Sequence, residues 1–320
     1  MIQAMGIDEG ATAVDPEFQR WKYWRPHPLE EGSRGRVLFD GGKLVAHGAR
    51  WPIRLCGAMG ELQVFHLIDW AAERGSGGAG MEVMRLCSEG AAAVLSIGGS
   101  AATRKIVPIF GFRPQNQIAF LEMPLHPFRP AWDESSRDWK MPARLARNFL
   151  YFLRSGRQLA PDWSVLAASP DEIPQELFPT PVAGEVVSVR NAALLKHVMS
   201  CPGIERWRCC FLRRGSMLKA YFLLAQVGSD VRMVDYGPSG LDETTGRAVG
   251  LAAREMAQLE FPGGAAIVAA TTEPQVEAGL ARAGFRLTKT EAIKVLKLNA
   301  LLKPISRFRV TMLDWDAACL

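Results

Sequence analysis

Residues 91–113 read AAAVLSIGGSAATRKIVPIFGFR, and residues 264–286 read GAAIVAATTEPQVEAGLARAGFR. The two segments align without a gap, and both end in Gly-Phe-Arg. Each has a short apolar run, a turn of small or polar residues and a stretch of helical length, the pattern of a buried strand followed by a helix. Two such segments in one chain predict two similar α/β units.

A second landmark repeats at nearly the same spacing. Asp40-Gly41-Gly42 and Arg214-Gly215-Ser216 each lie between two β-like runs, as the turn of a β-hairpin does. Two separate landmarks with nearly one offset indicate a repeated fold and not a chance match.

The pattern of apolar residues predicts the other elements. Helices are expected at 16–23, in the stretch after residue 80, and at 101–107, 143–154, 190–199, 244–259 and 275–283. Strands are expected at 36–39, 43–47, 49–55, 61–69, 91–97, 117–123, 206–212, 217–227, 231–236, 265–270 and 292–298.

Proline marks the domain boundaries. Nine prolines fall between residues 124 and 181, which indicates a connector. The predicted organisation is an N-terminal extension (1–31), a first domain (32–130), a proline-rich connector with one helix (131–185), a second domain (186–300) and a C-terminal tail (301–320).

A glycine-rich turn precedes the first repeated segment. It reads Arg74-Gly75-Ser76-Gly77-Gly78-Ala79-Gly80 and lies between a strand-like and a helix-like run. A glycine loop at a helix N-terminus presents backbone N–H groups that suit a phosphate or pyrophosphate. The corresponding stretch of the second copy has two adjacent carboxylates, Asp242 and Glu243, which would repel such an anion.

Composition excludes several classes of protein. The net charge is +5, and no basic motif with interleaved aromatic residues indicates nucleic-acid binding. The six cysteines form no C-x-x-C pair and do not cluster with the five histidines, so we expect no metal site. The apolar runs are far shorter than a membrane span, and the N-terminus does not resemble a signal peptide, so we expect a cytoplasmic protein.

The order of hairpin, strand, loop, helix, apolar strand, helix and Gly-Phe resembles the GNAT superfamily of acyl-CoA-dependent N-acyltransferases. That family's loop signature is Q/R-x-x-G-x-G/A, which Arg74, Gly77 and Ala79 match. Its later signature, Asn-x-x-Ala-x-x-x-Tyr-x-x-x-Gly-Phe, reads here Ser100, Thr103, Val107, Gly111 and Phe112. The resemblance implies two tandem GNAT-like domains with a degenerate second copy, each domain a mixed, mostly antiparallel twisted sheet flanked by helices.

The resemblance also implies acetyl-CoA or another acyl-CoA as co-substrate, with no metal. Backbone N–H groups of residues 75–80 would hold the pyrophosphate, and the strand ending near 68–70 would splay from 94–97 to admit the pantetheine arm. A backbone N–H near residue 69 or 70 would polarise the thioester carbonyl. The implied cofactor-binding residues are Ile68, Asp69, Trp70, Arg74, Gly75, Ser76, Gly77, Gly78, Ala79, Gly80, Ser100 and Thr103.

The resemblance leaves the catalytic acid and base open. The tyrosine that serves as general acid in the family is replaced by Val107, which has no proton to donate. Glu61, His66 and Asp69 lie on or beside the predicted fourth strand and are the candidate catalytic residues. For each of them the alternative is a structural polar residue at a strand edge.

Three functions follow from these observations. The first is transfer of an acyl group from coenzyme A to the amine of a small molecule or peptide, by a monomer or homodimer without nucleic-acid or membrane partners. The second is a FemAB-like aminoacyl transferase, although such relatives usually lack the intact glycine loop. The third is a protein that binds acyl-CoA, or keeps the fold as a scaffold, without catalysis.

Overall fold

The structure is a computed structural model, and it describes residues 15–126, 141–154 and 158–319. The helices are α1 (Pro16–Tyr23), α2 (Ala79–Ser88), α3 (Ala101–Ile106), α4 (Met141–Arg154), α5 (Ala192–Met199), α6 (Glu243–Glu260) and α7 (Pro274–Ala283). The strands are β1 (Gly35–Asp40), β2 (Lys43–Gly57), β3 (Gly60–Ala72), β4 (Ala93–Ser96), β5 (Arg113–Pro124), β6 (Trp163–Ala168), β7 (Glu185–Ser188), β8 (Trp207–Arg214), β9 (Met217–Val227), β10 (Asp230–Gly237), β11 (Ala266–Thr271), β12 (Arg286–Lys297) and β13 (Arg307–Arg309).

The chain forms two compact units, and each is assembled from separate stretches. Unit 1 contains Met1–Gln117, Thr180–Gly203 and Glu291–Leu320, and unit 2 contains Ile118–Pro179 and Ile204–Thr290. The domain ranges predicted from the sequence were continuous, so 32–130, 131–185 and 186–300 do not coincide with these units.

Unit 1 contains a mixed sheet with the strand order β13-β7-β2-β3-β4-β12, and β1 pairs with β2. The β3–β4 and β7–β13 pairs are parallel, and the other pairs are antiparallel. A small core beside α2 consists of the buried residues Leu67, Met84, Cys87, Val94, Val107 and Phe112. This unit therefore has the predicted mostly antiparallel sheet with packed helices.

Unit 2 contains a sheet with the order β5-β11-β10-β9-β8-β6, in which the β10–β11 pair is parallel and the others are antiparallel. The apolar face of α6, which includes Ala252, Ala253 and Met256, packs in the core with Phe222 of β9 and Phe261. Both predicted α/β units are present.

The last strands are exchanged between the two copies. In unit 1, β4 pairs with residues 294–297 of β12, from the second copy. In unit 2, β11 pairs with residues 119–124 of β5, from the first copy. The sequence predicted both strands, but it assigned each to its own copy because an apolar pattern identifies a strand and not its partner.

Two differences from the predicted elements have local causes. The strands expected at 43–47 and 49–55 form one strand, β2, because the chain continues through Gly48 with only a shift in its register against β3. The connector contains an unpredicted strand, β6, none of whose residues is fully buried, and whose alternation of half-buried and exposed residues is lost after Leu166. An edge strand of this kind lacks a clear hydrophobic alternation.

Arg190 and Asp314 are a buried ion pair inside unit 1. The Arg190 guanidinium donates to both carboxylate oxygens of Asp314, over 3.0 and 2.9 Å, and both side chains are almost fully buried.

Among the described residues, no helix combines the length and the apolar composition that a membrane crossing needs.

We expect a chain that ends at Pro179 to leave unit 1 unfolded. That truncation removes β7, β12 and β13 and the Arg190–Asp314 pair, so β4 loses its antiparallel neighbour. The measurement is amide dispersion in a two-dimensional NMR spectrum, with the full chain as reference. A truncated chain with a dispersed spectrum and a cooperative melting transition would contradict the exchange of strands.

Candidate functional site

A cavity of about 680 Å³ opens in unit 1 between the end of β3, the start of α2 and the loop and helix that follow β4. The residues predicted to bind a cofactor that line it are Ile68, Asp69, Trp70, Gly75, Ser76, Gly77, Gly78, Gly80, Ser100 and Thr103. Arg74, which is exposed, and Ala79 are absent from its lining. The structure thus brings most of the predicted set together, and their role in binding stays a prediction.

The cavity exists because two parallel strands separate. β3 pairs with β4 only at Val64–Ala93, Phe65–Val94 and His66–Leu95. β3 then continues to Ala72, whereas β4 ends at Ser96. The two strands therefore leave a gap beyond His66, as the resemblance to the GNAT superfamily implied for the region of residues 68–70 and 94–97.

The glycine loop leaves the start of α2 open. Gly75, Gly77 and Gly78 have φ angles of +86°, +31° and +85°, a region that favours glycine, and a Cβ on any of them would have nothing within 4 Å. No side chain caps this end of α2. In the described part of the chain, the N–H groups of Gly77 and Gly78 donate to no backbone carbonyl of the loop. Unused N–H groups at a helix N-terminus attract anions.

Trp70 fixes the position of that helix end. Its indole N–H donates to the carbonyl oxygen of Gly80 over 2.9 Å, and its ring meets Phe110 edge-on with 5.9 Å between centroids. A Cβ on Gly80 would lie 3.2 Å from the Cβ of Ala72. Glycine at position 80 therefore allows α2 to approach β3 closely.

The end of β3 contains a bulge. The register against β2 shifts between His47 and Ala49, so that Asp69 and Trp70 lie opposite Gly48. Asp69 has φ +48° and is the one non-glycine residue with a positive φ in the described part of the chain. A bulge interrupts the hydrogen-bond ladder and leaves its extra residue without a ladder partner.

His66, a candidate base, has a structural hydrogen bond. Its Nε2 atom accepts the Ile97 N–H over 3.1 Å, so the lone pair that would take a proton is occupied. Burial lowers the pKa of His66 to about 4. His66 does not line the cavity, and its geometry supports the structural alternative.

Glu61, another candidate base, lies at the opposite end of β3 from Asp69. Its carboxylate is half-exposed and 3.6 Å from a guanidinium nitrogen of Arg54, and it does not line the cavity. Because each strand residue adds about 3.3 Å, Glu61 and Asp69 lie far apart along β3. Glu61 is therefore not positioned to act at this cavity.

Asp69 lines the cavity, but its carboxylate is engaged. Lys22 Nζ is 2.6 Å and Tyr23 Oη is 2.8 Å from Asp69 Oδ2.

Val107, at the position of the family's tyrosine, is fully buried in the core beside α2. No group of three or more metal-ligating side chains occurs among the described residues.

Unit 2 repeats the separation of strands and fills the gap. β10 pairs with β11 only from Asp230–Ala266 to Met233–Ala269 and then continues to Gly237. The Glu273 carboxylate occupies the gap, accepting the Gly240 N–H over 2.7 Å and the Tyr236 hydroxyl over 3.0 Å. The loop before α6 corresponds to the glycine loop of unit 1. One of its backbone N–H groups, that of Gly240, is therefore already bonded to a carboxylate of the chain.

The two helices of unit 2 also close against each other. A Cβ on Gly279 of α7 would lie 2.6 Å from the Arg247 nitrogen of α6, and a Cβ on Gly250 would lie 2.8 Å from the Cβ of Ala283. Such contacts leave no room for a ligand between α6 and α7. Asp242, which the sequence analysis expected to repel an anion, caps α6 by accepting the Thr245 N–H over 2.7 Å.

Glu273 is absent from the residues predicted for the site, although the repeat contains the signal. In the gapless alignment Glu273 corresponds to Ser100, which caps α3 in unit 1 and lines the cavity. A carboxylate at this one aligned position distinguishes the two copies.

Comparison with known proteins identifies the fold. No family model matches the chain, and no curated protein matches it. The crystal structure of a GCN5-related N-acetyltransferase from Anabaena variabilis ATCC 29413 superposes with a TM-score of 0.56 at 8% identity, over 93% of this chain and 70% of that one. A probable N-acyltransferase from Enterococcus faecalis V583 gives a TM-score of 0.52 at 10% identity, over 92% and 67%. The chain therefore has the GNAT fold.

Protonation of buried histidines makes unit 1 sensitive to acid. Burial lowers the pKa of His27 to about 2 and of His66 and His197 to about 4, below the usual value of 6.5. Below about pH 6.5 the unfolded chain takes up protons that the folded chain does not. The free energy of unfolding therefore decreases as the pH is lowered, until the pH reaches the pKa of each histidine in the folded chain.

We expect His66→Gln to reduce this dependence by roughly 1 kcal/mol per pH unit between pH 6 and pH 4. The Gln amide oxygen can replace Nε2 as acceptor but does not titrate. Urea unfolding of wild type and variant at several pH values measures the two slopes. Equal slopes would show that His66 is not buried in its neutral form.

Proposed function

We propose that unit 1 binds an acyl-coenzyme A, with acetyl-CoA the expected form, and transfers the acyl group to an amine. The observation that carries this proposal is the open N-terminus of α2 beside the gap between β3 and β4. An anionic group and a long, narrow chain attached to it match these two neighbouring features. Within the GNAT fold, the position agrees with the sites implied by the two sequence signatures.

Each part of the cavity has a proposed task. The N–H groups of the loop at 75–80 hold the pyrophosphate, and the edges of β3 and β4 beyond His66 pair with the pantetheine amides. A backbone N–H of the bulge, at Asp69 or Trp70, polarises the thioester carbonyl and stabilises the oxyanion that forms on it. These tasks need only backbone donors, so the proposed site does not depend on side-chain charges.

The reaction is a direct acyl transfer. The neutral amine forms a C–N bond to the carbonyl carbon, and its nitrogen loses a proton to water. The C–S bond breaks, and the sulfur leaves as a thiolate that takes up a proton from water. Water supplies and removes these protons, because Val107 has no proton to donate and the Nε2 lone pair of His66 already accepts the Ile97 N–H. A small molecule or a peptide is the proposed source of the amine, and the cytoplasm is the proposed compartment.

Binding without turnover is the second candidate. Val107 is buried where the family's acid would lie, and the Asp69 carboxylate is occupied by Lys22 and Tyr23. A protein without turnover would bind acetyl-CoA and release no free thiol with any amine. Thiol release, followed with a chromogenic disulfide across an amine library, distinguishes the two candidates.

We expect Gly77→Glu to weaken acetyl-CoA binding at least a hundredfold, because it places a carboxylate where the pyrophosphate would lie and like charges in contact cost several kcal/mol. The matched control is Gly77→Ala, which introduces the same strain at φ +31° without a charge. Calorimetric titration measures both. Wild type that binds no acetyl-CoA, or a Glu variant that binds as well as the Ala variant, would contradict the proposed site.

We also expect one molecule of acetyl-CoA to bind per chain. The corresponding gap in unit 2 is filled by Glu273, and α6 and α7 are in contact there. The stoichiometry comes from the same titration, with the protein concentration determined by amino-acid analysis. A value of two per chain would show that unit 2 opens to bind a second molecule.

A further inference from the structure

The bulge residue Asp69 has a costly backbone conformation. Its φ of +48° lies in the left-handed region, which is unfavourable for a residue with a Cβ. Such a conformation persists only where the surroundings fix it. The side chains around Asp69 must therefore hold it.

Three side chains bind the polar groups of Asp69. His47 Nδ1 donates to the Asp69 carbonyl oxygen over 2.9 Å. Tyr23 Oη donates to Asp69 Oδ2 over 2.8 Å, and Lys22 Nζ lies 2.6 Å from the same oxygen. These contacts fix both the carbonyl and the carboxylate of the residue.

Lys22 is the centre of this arrangement. It is 2% exposed, and it also donates to Asp316 Oδ2 over 2.8 Å. Although burial lowers the pKa of Lys22, the carboxylates of Asp316 and Asp69 together raise it above its usual value. A permanently charged ammonium therefore joins α1, the end of β3 and the turn at Asp316–Ala318.

A buried ion pair contributes little net stability, because the cost of removing both charges from water offsets their attraction. What it does supply is a fixed geometry. Here the geometry that is fixed is that of the β3 bulge, whose residues Asp69 and Trp70 both line the cavity.

We propose that Lys22 is a positioning residue which, through the carboxylate of Asp69, holds the β3 bulge so that its backbone N–H points at the acyl carbonyl. This inference rests on the proposed function of the cavity. Lys22 itself does not line the cavity and touches no substrate. Its effect is to fix a donor before the ligand arrives, which is the condition for strong stabilisation of an oxyanion.

The test compares two ligands that differ only at the carbonyl. Acetyl-CoA has the thioester carbonyl group, and S-ethyl-CoA, a thioether, has a methylene group in place of that carbonyl. A hydrogen bond to a neutral carbonyl is worth about 1 kcal/mol, so wild type should bind acetyl-CoA roughly fivefold more tightly. Calorimetry gives the ratio of the two dissociation constants.

We expect Lys22→Met to bring this ratio close to one while the affinity for S-ethyl-CoA changes little. Tyr23→Phe removes one contact to Asp69 and keeps the ring, so it should lower the ratio partly. It also serves as the test if Lys22→Met does not fold. The control is Arg85→Met on α2, which breaks exposed ion pairs with Glu82 and Glu89 and should leave the ratio unchanged.

The outcomes separate the inference from the proposed function. Wild type that binds neither ligand would overturn the proposed function and this inference with it. Wild type that binds both equally, or a wild-type preference that survives in Lys22→Met and Tyr23→Phe, would overturn the inference alone. A loss of affinity for both ligands by the same factor would indicate a general structural role for Lys22 and would also overturn it.

Discussion

The cavity of unit 1 depends on one interruption of a hydrogen-bond ladder. The Ile97 N–H, which would continue the parallel pairing of β4 with β3, donates instead to the side chain of His66. Gly98 and Gly99 follow with φ angles of +74° and +93° and turn the chain away. The strands separate at this point, and the glycine loop and the bulge both border the gap that results.

The same separation occurs in unit 2, but the two units differ in what lies in the gap. In unit 2 the gap is filled by Glu273, and glycines 250 and 279 bring α6 and α7 into contact. The partly exposed Glu273 carboxylate accepts the Gly240 N–H and the Tyr236 hydroxyl, so these donors are satisfied without a ligand. In unit 1, Ser100 at the aligned position leaves the gap open. Fold and site are thus separable properties of this repeat.

Much of the fold could be predicted from the sequence because its signals are local. The apolar patterns and turns predicted the helices and most of the strands, and ten of the twelve residues predicted to bind a cofactor line the cavity. The exchange of β5 and β12 could not be predicted, since strand pairing depends on distant contacts. Neither could the two ion pairs of Lys22, because Asp69 lies 47 residues and Asp316 lies 294 residues away in sequence. His66 and Glu61 were reasonable bases by residue type, but only the structure shows a lone pair in use and a location at the far end of β3.

The most direct test of the central claim is hydrogen–deuterium exchange of the full chain with and without acetyl-CoA. The account predicts added protection in peptides that cover the loop at 75–80, the bulge at 68–70 and residues 99–103, and none in peptides that cover 238–247 of unit 2. Unchanged exchange at the loop and the bulge, or protection confined to unit 2, would contradict it.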